Sequence, residues 1–292
     1  MTEAQDNKRF SFGMNWQNFL TVLTEERIAE AEKSLKHMLG LESLMDLSFL
    51  DIGSGSGLFS LAARRMGAKV ISFDYDPDSV ACAQALKNKF YPEDKNDSWR
   101  IEQGSALDRE YLSSLGTFDI VYSWGVLHHT GDMWRALENA CTCVKPEGIL
   151  FISIYNDENW RSRRNLHVKK FYVSLPDKLK PLMAGAYIAW EVARGLAADI
   201  LRLRNPLSRY SDKIKSRGMS PWHDMIDWLG GYPFEVATPE AIFDFYRDRG
   251  FRLVKLTTVG RGHGCNEFVF RYARDEQTLS RSSEKRRITA GR

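Results

Sequence analysis

Between residues 48 and 156, five short apolar runs alternate with stretches of helical period, and this alternation narrows the fold more than any other feature. The runs read SFLDIG, AKVISFD, WRIEQG, FDIVYSW and GILFISIYN, and the helical stretches fall at about 58–66, 77–90 and 131–144. Strands separated by helices cannot close as hairpins; they form a parallel sheet with crossover helices on its faces. Further on, TPEAIFDFYRDRG reads as a helix that Thr238 and Pro239 start and Gly250 ends. FRLVKLTTV and NEFVFRY then flank the short link GRGHGC and form an antiparallel pair, the first strand running parallel to the core. The predicted fold is α/β: a Rossmann-like, doubly wound, mostly parallel seven-stranded sheet whose last strand is antiparallel.

The first run ends FLDIGSGSG, with glycine at positions 53, 55 and 57. A dinucleotide fingerprint needs its third glycine at position 58, where Leu58 stands. A P-loop needs Gly and Lys where the chain has Leu58 and Phe59. Both phosphate-binding readings fit badly. In a doubly wound sheet the ligand lies beyond the carboxyl ends of the strands, at the switch point. The second strand ends FDYDP, which puts Asp74 23 residues after Asp51. A carboxylate at that spacing accepts hydrogen bonds from ribose hydroxyls. With no phosphate-binding lysine beside the turn, a nucleoside is favoured over a nucleotide. A tight turn that lets a helix pack closely on a strand remains the alternative, above all for Gly57.

FLDIGSGSG, FDYDP, QGSALD, FDIVYSWGVLHH and VKPEGILFISIY, in this order and spacing, resemble the class I S-adenosylmethionine-dependent methyltransferases. More narrowly, they are similar to small-molecule methyltransferases of the ubiquinone-biosynthesis type. The resemblance covers about 49–156 and 238–272. It implies S-adenosylmethionine as cofactor and S-adenosylhomocysteine as product, held by Asp51, Gly53, Ser54, Gly55, Gly57, Asp74, Tyr75, Ser105, Ala106, Ser123 and Trp124. Asp74 would hold the ribose and Tyr75 would stack near adenine. Ser105 stands where many members carry an acid, so Ala106 is expected to offer a backbone group instead. Ser123 and Trp124 would flank the amino acid end.

Methyl transfer from a sulfonium needs alignment of acceptor, methyl and sulfur, and a hydroxyl acceptor also has to lose a proton. Histidine suits that task at neutral pH. His128 and His129 follow strand four and His263 lies in GRGHGC, so all three are candidate bases; His128 is preferred over His129, with His263 second. On the acceptor side the candidates are Tyr155 and Asn156 at the end of strand five, Arg161 as an anion clamp, and Trp222, His223 and Tyr232. For each, packing, capping or an exposed helix face is the competing explanation. No metal site is expected: the only close cysteine pair, Cys141 and Cys143, lacks a common zinc spacing.

The expected organisation is an N-terminal helical lid at 1–48, a cofactor-binding core at 49–156 and 236–273, a helical substrate cap at 157–235, and a disordered tail at 274–292. From Arg161 to Arg217 the chain has 14 Lys/Arg against 4 Asp/Glu, a net +10 inside a whole-chain +3. Such asymmetry fits an anionic substrate, an anionic surface or a solvated helical face. The apolar stretch 182–201 is broken by Glu191, Arg194 and Asp199, so no transmembrane segment is expected, although peripheral membrane contact is conceivable. The polar N-terminus and unpaired cysteines suit a cytoplasmic protein, monomer or homodimer. Nucleic acid is not the expected partner, because no motif for a flipped base follows strand four. The expected activity is methyl transfer to a small or medium metabolite, at oxygen. The alternatives are N- or C-methylation, other chemistry on the same cofactor such as its cyclisation, and a cofactor-binding module with no catalysis.

Overall fold

A computed structural model describes residues 23–93, 98–201, 221–260 and 264–273. These fall into two compact units, one of which contains Asn159–Phe234 while the other contains the sheet.

The sheet has seven strands in the order β3-β2-β1-β4-β5-β7-β6. They are β1 (Ser48–Ile52), β2 (Lys69–Asp74), β3 (Trp99–Gln103), β4 (Phe118–Trp124), β5 (Val144–Tyr155), β6 (Phe251–Thr257) and β7 (Cys265–Tyr272). Five strands pair in parallel, and β7 runs antiparallel between β5 and β6. The strand order reverses between β1 and β4, so the switch point lies beside the glycine turn.

Period-two alternation divides the strand side chains between two cores. On one face Phe49, Val70, Ile120, Tyr122, Phe151 and Val269 pack against α1 (Glu25–Leu39), α2 (Leu58–Arg65) and α3 (Pro77–Phe90). On the other, Leu50, Ile52, Phe73, Val121, Leu150, Ile152 and Phe268 pack against α4 (Arg109–Leu115), α5 (Met133–Thr142) and α9 (Pro239–Arg247). Each fully buried leucine or isoleucine contributes about 2 kcal/mol against leaving it exposed.

The helix ends follow local chemistry. Asp76 accepts from the Asp78 amide and Pro77 opens α3, while Thr238 accepts from the Ala241 amide and Pro239 opens α9. Helix α1 buries Ile28, Ala31, Leu35, Met38 and Leu39 and ends on left-handed Gly40, whose amide donates to Lys36. It packs into the sheet's core, so the segment just before β1 is part of the wall. Of the expected helical lid at 1–48, residues 1–22 lie outside the described residues, as does the tail from 274.

The helical unit consists of α6 (Trp160–Ser174), α7 (Lys180–Leu201) and α8 (Pro221–Gly230). Its small core is built on Tyr172, Ala184 and Leu229. Helix α6 has an unusual buried stripe, Ser162, Asn165, Lys169 and Tyr172. Lys169 is fully buried; its ammonium donates to the Trp228 carbonyl in the last turn of α8 and lies 4.5 Å from the Trp228 ring and 5.0 Å from that of Phe234. A cation at a helix C-terminus is well placed against the dipole. Burial nevertheless pushes its pKa down to about 7.

Candidate active site

The turn after β1 bends through three left-handed glycines, with φ of 76° at Gly53, 52° at Gly55 and 79° at Gly57. A Cβ on Gly53 would run into the Val126 side chain beyond β4. A Cβ on Gly57 would meet Ala83 of α3 at 3.0 Å, so Gly57 also serves helix–strand packing. The amides of Gly53 and Ser54 donate to the Phe73 carbonyl, that of Gly57 to Ser54, and that of Gly55 to the Asp74 carboxylate at 2.9 Å. A phosphate cradle needs such amides pointing at the ligand. Here they are used inside the protein, which agrees with the poor fit of both phosphate motifs.

Asp74 closes β2. One carboxylate oxygen accepts from Gly55 and the other from the Asp76 amide at 3.0 Å. Burial raises its pKa, and those two amides oppose the rise. Each oxygen keeps a further lone pair for a ligand hydroxyl. Asp51, one strand over, is buried and accepts from the Ser60 hydroxyl at 2.5 Å. Burial lifts its pKa to about 7, Ser60 opposes the rise, and the charge on Asp74 adds to it. The Ser60 bond ties the Asp51 side chain to α2. The Ser54 hydroxyl is buried and has no partner among the described residues.

The remaining cofactor candidates separate by position. Tyr75 is 41% exposed directly after Asp74, in keeping with a stacking surface. Ser105 accepts from the Leu107 amide in a local turn, and the Ala106 carbonyl is taken by the Asn139 side chain at 2.9 Å, which leaves Ala106 only its amide to offer. The Ser123 side chain is buried on the α5 face and donates to the Ile52 carbonyl at 2.9 Å, clamping β4 to β1. Trp124, the next residue, points to the opposite face and stands 45% exposed.

The two adjacent histidines differ in burial. Both lie on a short 3-10 turn, Leu127–His129. His128 is fully buried, its ring centroid 4.5 Å from that of His129 and 4.2 Å from that of Tyr155. Its Nδ1 accepts from the Tyr155 amide at 3.4 Å. A neutral imidazole has a single acceptor nitrogen, so His128 is a poor base while that bond stands. His129 is half-buried and meets Tyr155 edge-on at 5.5 Å. His263 and the side chains of Trp222 and His223 lie outside the described residues.

Asn156 follows β5; its side chain donates to the Gly260 carbonyl and accepts from Asn266 at 3.0 Å, so it fastens the end of β5 to the β6–β7 link and to β7. Tyr155 is half-buried and packs against both histidines. In the helical unit, Arg161 is exposed over the Trp160 ring at 5.7 Å, and Tyr232 is half-buried.

A family model described as a methyltransferase domain matches residues 23–192, more than half of the chain. The chain belongs to the methyltransferase family. It is a class I, S-adenosylmethionine-dependent methyltransferase. Among its curated relatives is a ubiquinone biosynthesis O-methyltransferase from Bradyrhizobium sp. (strain ORS 278), 30% identical over 140 residues, which are 48% of this chain and 52% of that protein. The human mitochondrial protein of the same name is 32% identical over 113 residues, 39% of this chain and 30% of its own length. The chain thus spans about half, or less, of the curated relatives it matches. Magnesium protoporphyrin IX methyltransferase from Synechocystis PCC 6803, solved with bound SAH, shares the fold: TM-score 0.50, 14% identity, covering 84% of this chain and 83% of that one.

The residues of this methyltransferase fit the family's cofactor. A buried Ser54 hydroxyl without a partner among the described residues sits in the turn, Asp74 has lone pairs for a diol, and the amides of Gly53, Ser54, Gly55 and Gly57 are spent. Asp74 is bonded to the turn and Asp76 to Asp74, and the stretch FLDIGSGSGL carries no lysine or arginine. That charge suits a cationic ligand. Sequence reasoning missed Glu267, Ser153 and Lys169. For Glu267 a signal existed: NEFVFRY is antiparallel, so its first residues return to the carboxyl edge of the sheet.

Proposed function

We propose that the enzyme methylates a hydroxyl oxygen on a small or medium metabolite, with His129 as the group that accepts the hydroxyl proton. When bound, S-adenosylmethionine would supply a methyl group on positively charged sulfur, which an acceptor oxygen can take in line as the sulfur leaves as a neutral thioether. The chain's own part is to hold the ribose with Asp74, shape the turn with its glycines, and present His129 beside Tyr155 at the ends of β4 and β5. The observation that carries the reading is the pairing of a half-buried His129 with Tyr155 at the sheet's carboxyl edge. The printed names of the curated relatives, which are O-methyltransferases, support oxygen as the target.

The helical unit is proposed to rest on an anionic lipid surface. Seven of the thirteen exposed large apolar side chains among the described residues lie there, including Trp160, Phe171, Leu182 and Trp190, beside exposed Arg161, Arg163 and Lys170. This combination favours peripheral contact, since no helix among the described residues is long and apolar enough to cross a membrane. Co-sedimentation with vesicles containing or lacking anionic lipid, at low and high salt, tests it; equal recovery in all four conditions refutes it.

The activity is tested by incubating the enzyme and S-adenosylmethionine with catechols, phenols and carboxylic acids and identifying the products. S-adenosylhomocysteine with an O-methylated acceptor is expected. Methylthioadenosine, or methyl on nitrogen or carbon, overturns the proposal. His129→Ala should lower kcat about 100-fold with S-adenosylhomocysteine affinity unchanged; unchanged turnover removes the base from the mechanism.

A further inference from the structure

Strands β4, β5 and β7 set three side chains in one row. Trp124 is opposite Ser153 in the parallel pair, and Ser153 is opposite Glu267 in the antiparallel pair. Paired residues share a face, here the one that packs α1 and α2, and the row lies one step beyond Tyr122, Phe151 and Val269 towards the carboxyl edge. The Trp124 indole donates from Nε1 to Glu267 Oε1 at 2.7 Å. Their strands are separated by β5, so the two backbones stand about 10 Å apart. The bond therefore spans a whole strand and passes across Ser153. Ser153 is fully buried, and its hydroxyl has no partner among the described residues. Only a small residue leaves room beneath such a bridge.

Trp124 is 45% exposed. An indole that open is not held by close packing, and its one polar atom is tied to a carboxylate. A hydrogen bond to an ionised acceptor is the stronger kind. Asp51 pairs with Tyr122, so the same register carried two residues on sets the Trp124 backbone level with Gly53 at the start of the turn, while its indole reaches over β5 to β7.

We infer that Glu267 is a positioning residue for methyl transfer: it holds the Trp124 indole upright at the end of β4 as a fixed wall of the cofactor site, with Ser153 as the floor of the bridge. This rests on reading the turn, Asp74 and Trp124 as the cofactor cradle. Glu267 acts through Trp124, with no contact of its own required. Glutamine retains an oxygen to accept the indole N–H, so it should do most of what glutamate does.

The test is calorimetric titration with S-adenosylhomocysteine, which needs no acceptor. Glu267→Ala and Trp124→Phe should each weaken binding about 10-fold, whereas Glu267→Gln should stay within about 3-fold of the parent. The double variant Glu267→Ala/Trp124→Phe should bind no worse than the weaker single variant. In proton–nitrogen spectra the Trp124 indole signal, identified by its loss in Trp124→Phe, should move in Glu267→Gln and move further in Glu267→Ala. Parent-like affinity in Glu267→Ala, Glu267→Gln as weak as Glu267→Ala, or additive losses in the double variant each overturn the inference. If Glu267→Ala does not fold, Glu267→Gln and Trp124→Phe decide alone: a Gln variant as weak as Trp124→Phe, or an unmoved indole signal, overturns it. No binding by the parent itself, with Asp74→Ala indistinguishable from it, would instead remove the cradle reading.

Discussion

Asp51→Asn should stabilise the ligand-free protein by an amount that grows as pH rises from 5 to 7. The carboxyl is buried on β1 and accepts a short bond from Ser60. Burial is the largest reason its pKa climbs from 3.8 to about 7; the Ser60 bond lowers it and the Asp74 charge raises it. In the unfolded chain the group ionises near the usual 3.8, so across the window from there to about 7 the folded state keeps a proton that the unfolded state has released. The contribution to stability is complete below the unfolded value and is lost as pH rises through the folded one. At about 1.4 kcal/mol per decade, flattening near the folded value, the loss between pH 5 and pH 7 is about 2 kcal/mol. In a chain of this size that is roughly 4 °C of melting temperature. Asparagine keeps an oxygen for Ser60 and has nothing to ionise. Thermal melts of parent and variant at pH 5, 6 and 7, at one ionic strength and without cofactor, should show the gap in Tm widen by about 4 °C. A gap that stays constant would mean that Asp51 is already ionised in the fold at pH 5, and the reasoning would fail.

Three further outcomes follow from the geometry. Gly53→Ala should lower stability by roughly 3 kcal/mol, through left-handed strain and overpacking on Val126; Gly53→Ala/Val126→Ala should recover only the packing share in denaturant titrations. Asp74→Asn should weaken S-adenosylhomocysteine binding roughly 30-fold by calorimetry, because one amide keeps its oxygen and the other loses it; parent-like affinity would remove Asp74 from the cofactor site. Lys169 has its pKa lowered from 10.5 to about 7, so the unfolded chain binds more protons between those values and stability rises with pH across them. Parent stability should gain about 2 kcal/mol over Lys169→Met between pH 7 and pH 9 in urea titrations, and parallel curves would refute a neutral buried amine.

Much of the fold was legible because sheets and helices impose periods of two and 3.6 on the chain. The strands from SFLDIG to GILFISIYN and the Thr238–Pro239 helix start are local patterns, and the structure contains them nearly in place. Helix α4 escaped notice because seven residues make under two turns and bury only Leu112. The glycine turn and Asp74 were readable for a different reason: left-handed backbone at a strand end and a carboxylate one strand over are sequence-local requirements of the site.

What faces what was not readable. Adjacent histidines on a 3-10 turn differ only in which one slides under Tyr155, and the packing of β5 decides that in favour of His128. Ser123 and Trp124 must point to opposite faces by alternation, but which face meets the cofactor depends on where α1 and α5 pack. The partners of the Asn156 amide, Gly260 in the β6–β7 link and Asn266 of β7, lie more than a hundred residues away and could not be read from its neighbours. Glu267 lies 143 residues from Trp124, and only the insertion of an antiparallel β7 beside β5 brings them to 2.7 Å. The sequence by itself determined the elements, the turn and the cofactor class, because each of these is set by neighbours along the chain. Tertiary structure alone decided which side chains are committed and which stay open, because that depends on the register between strands far apart in sequence.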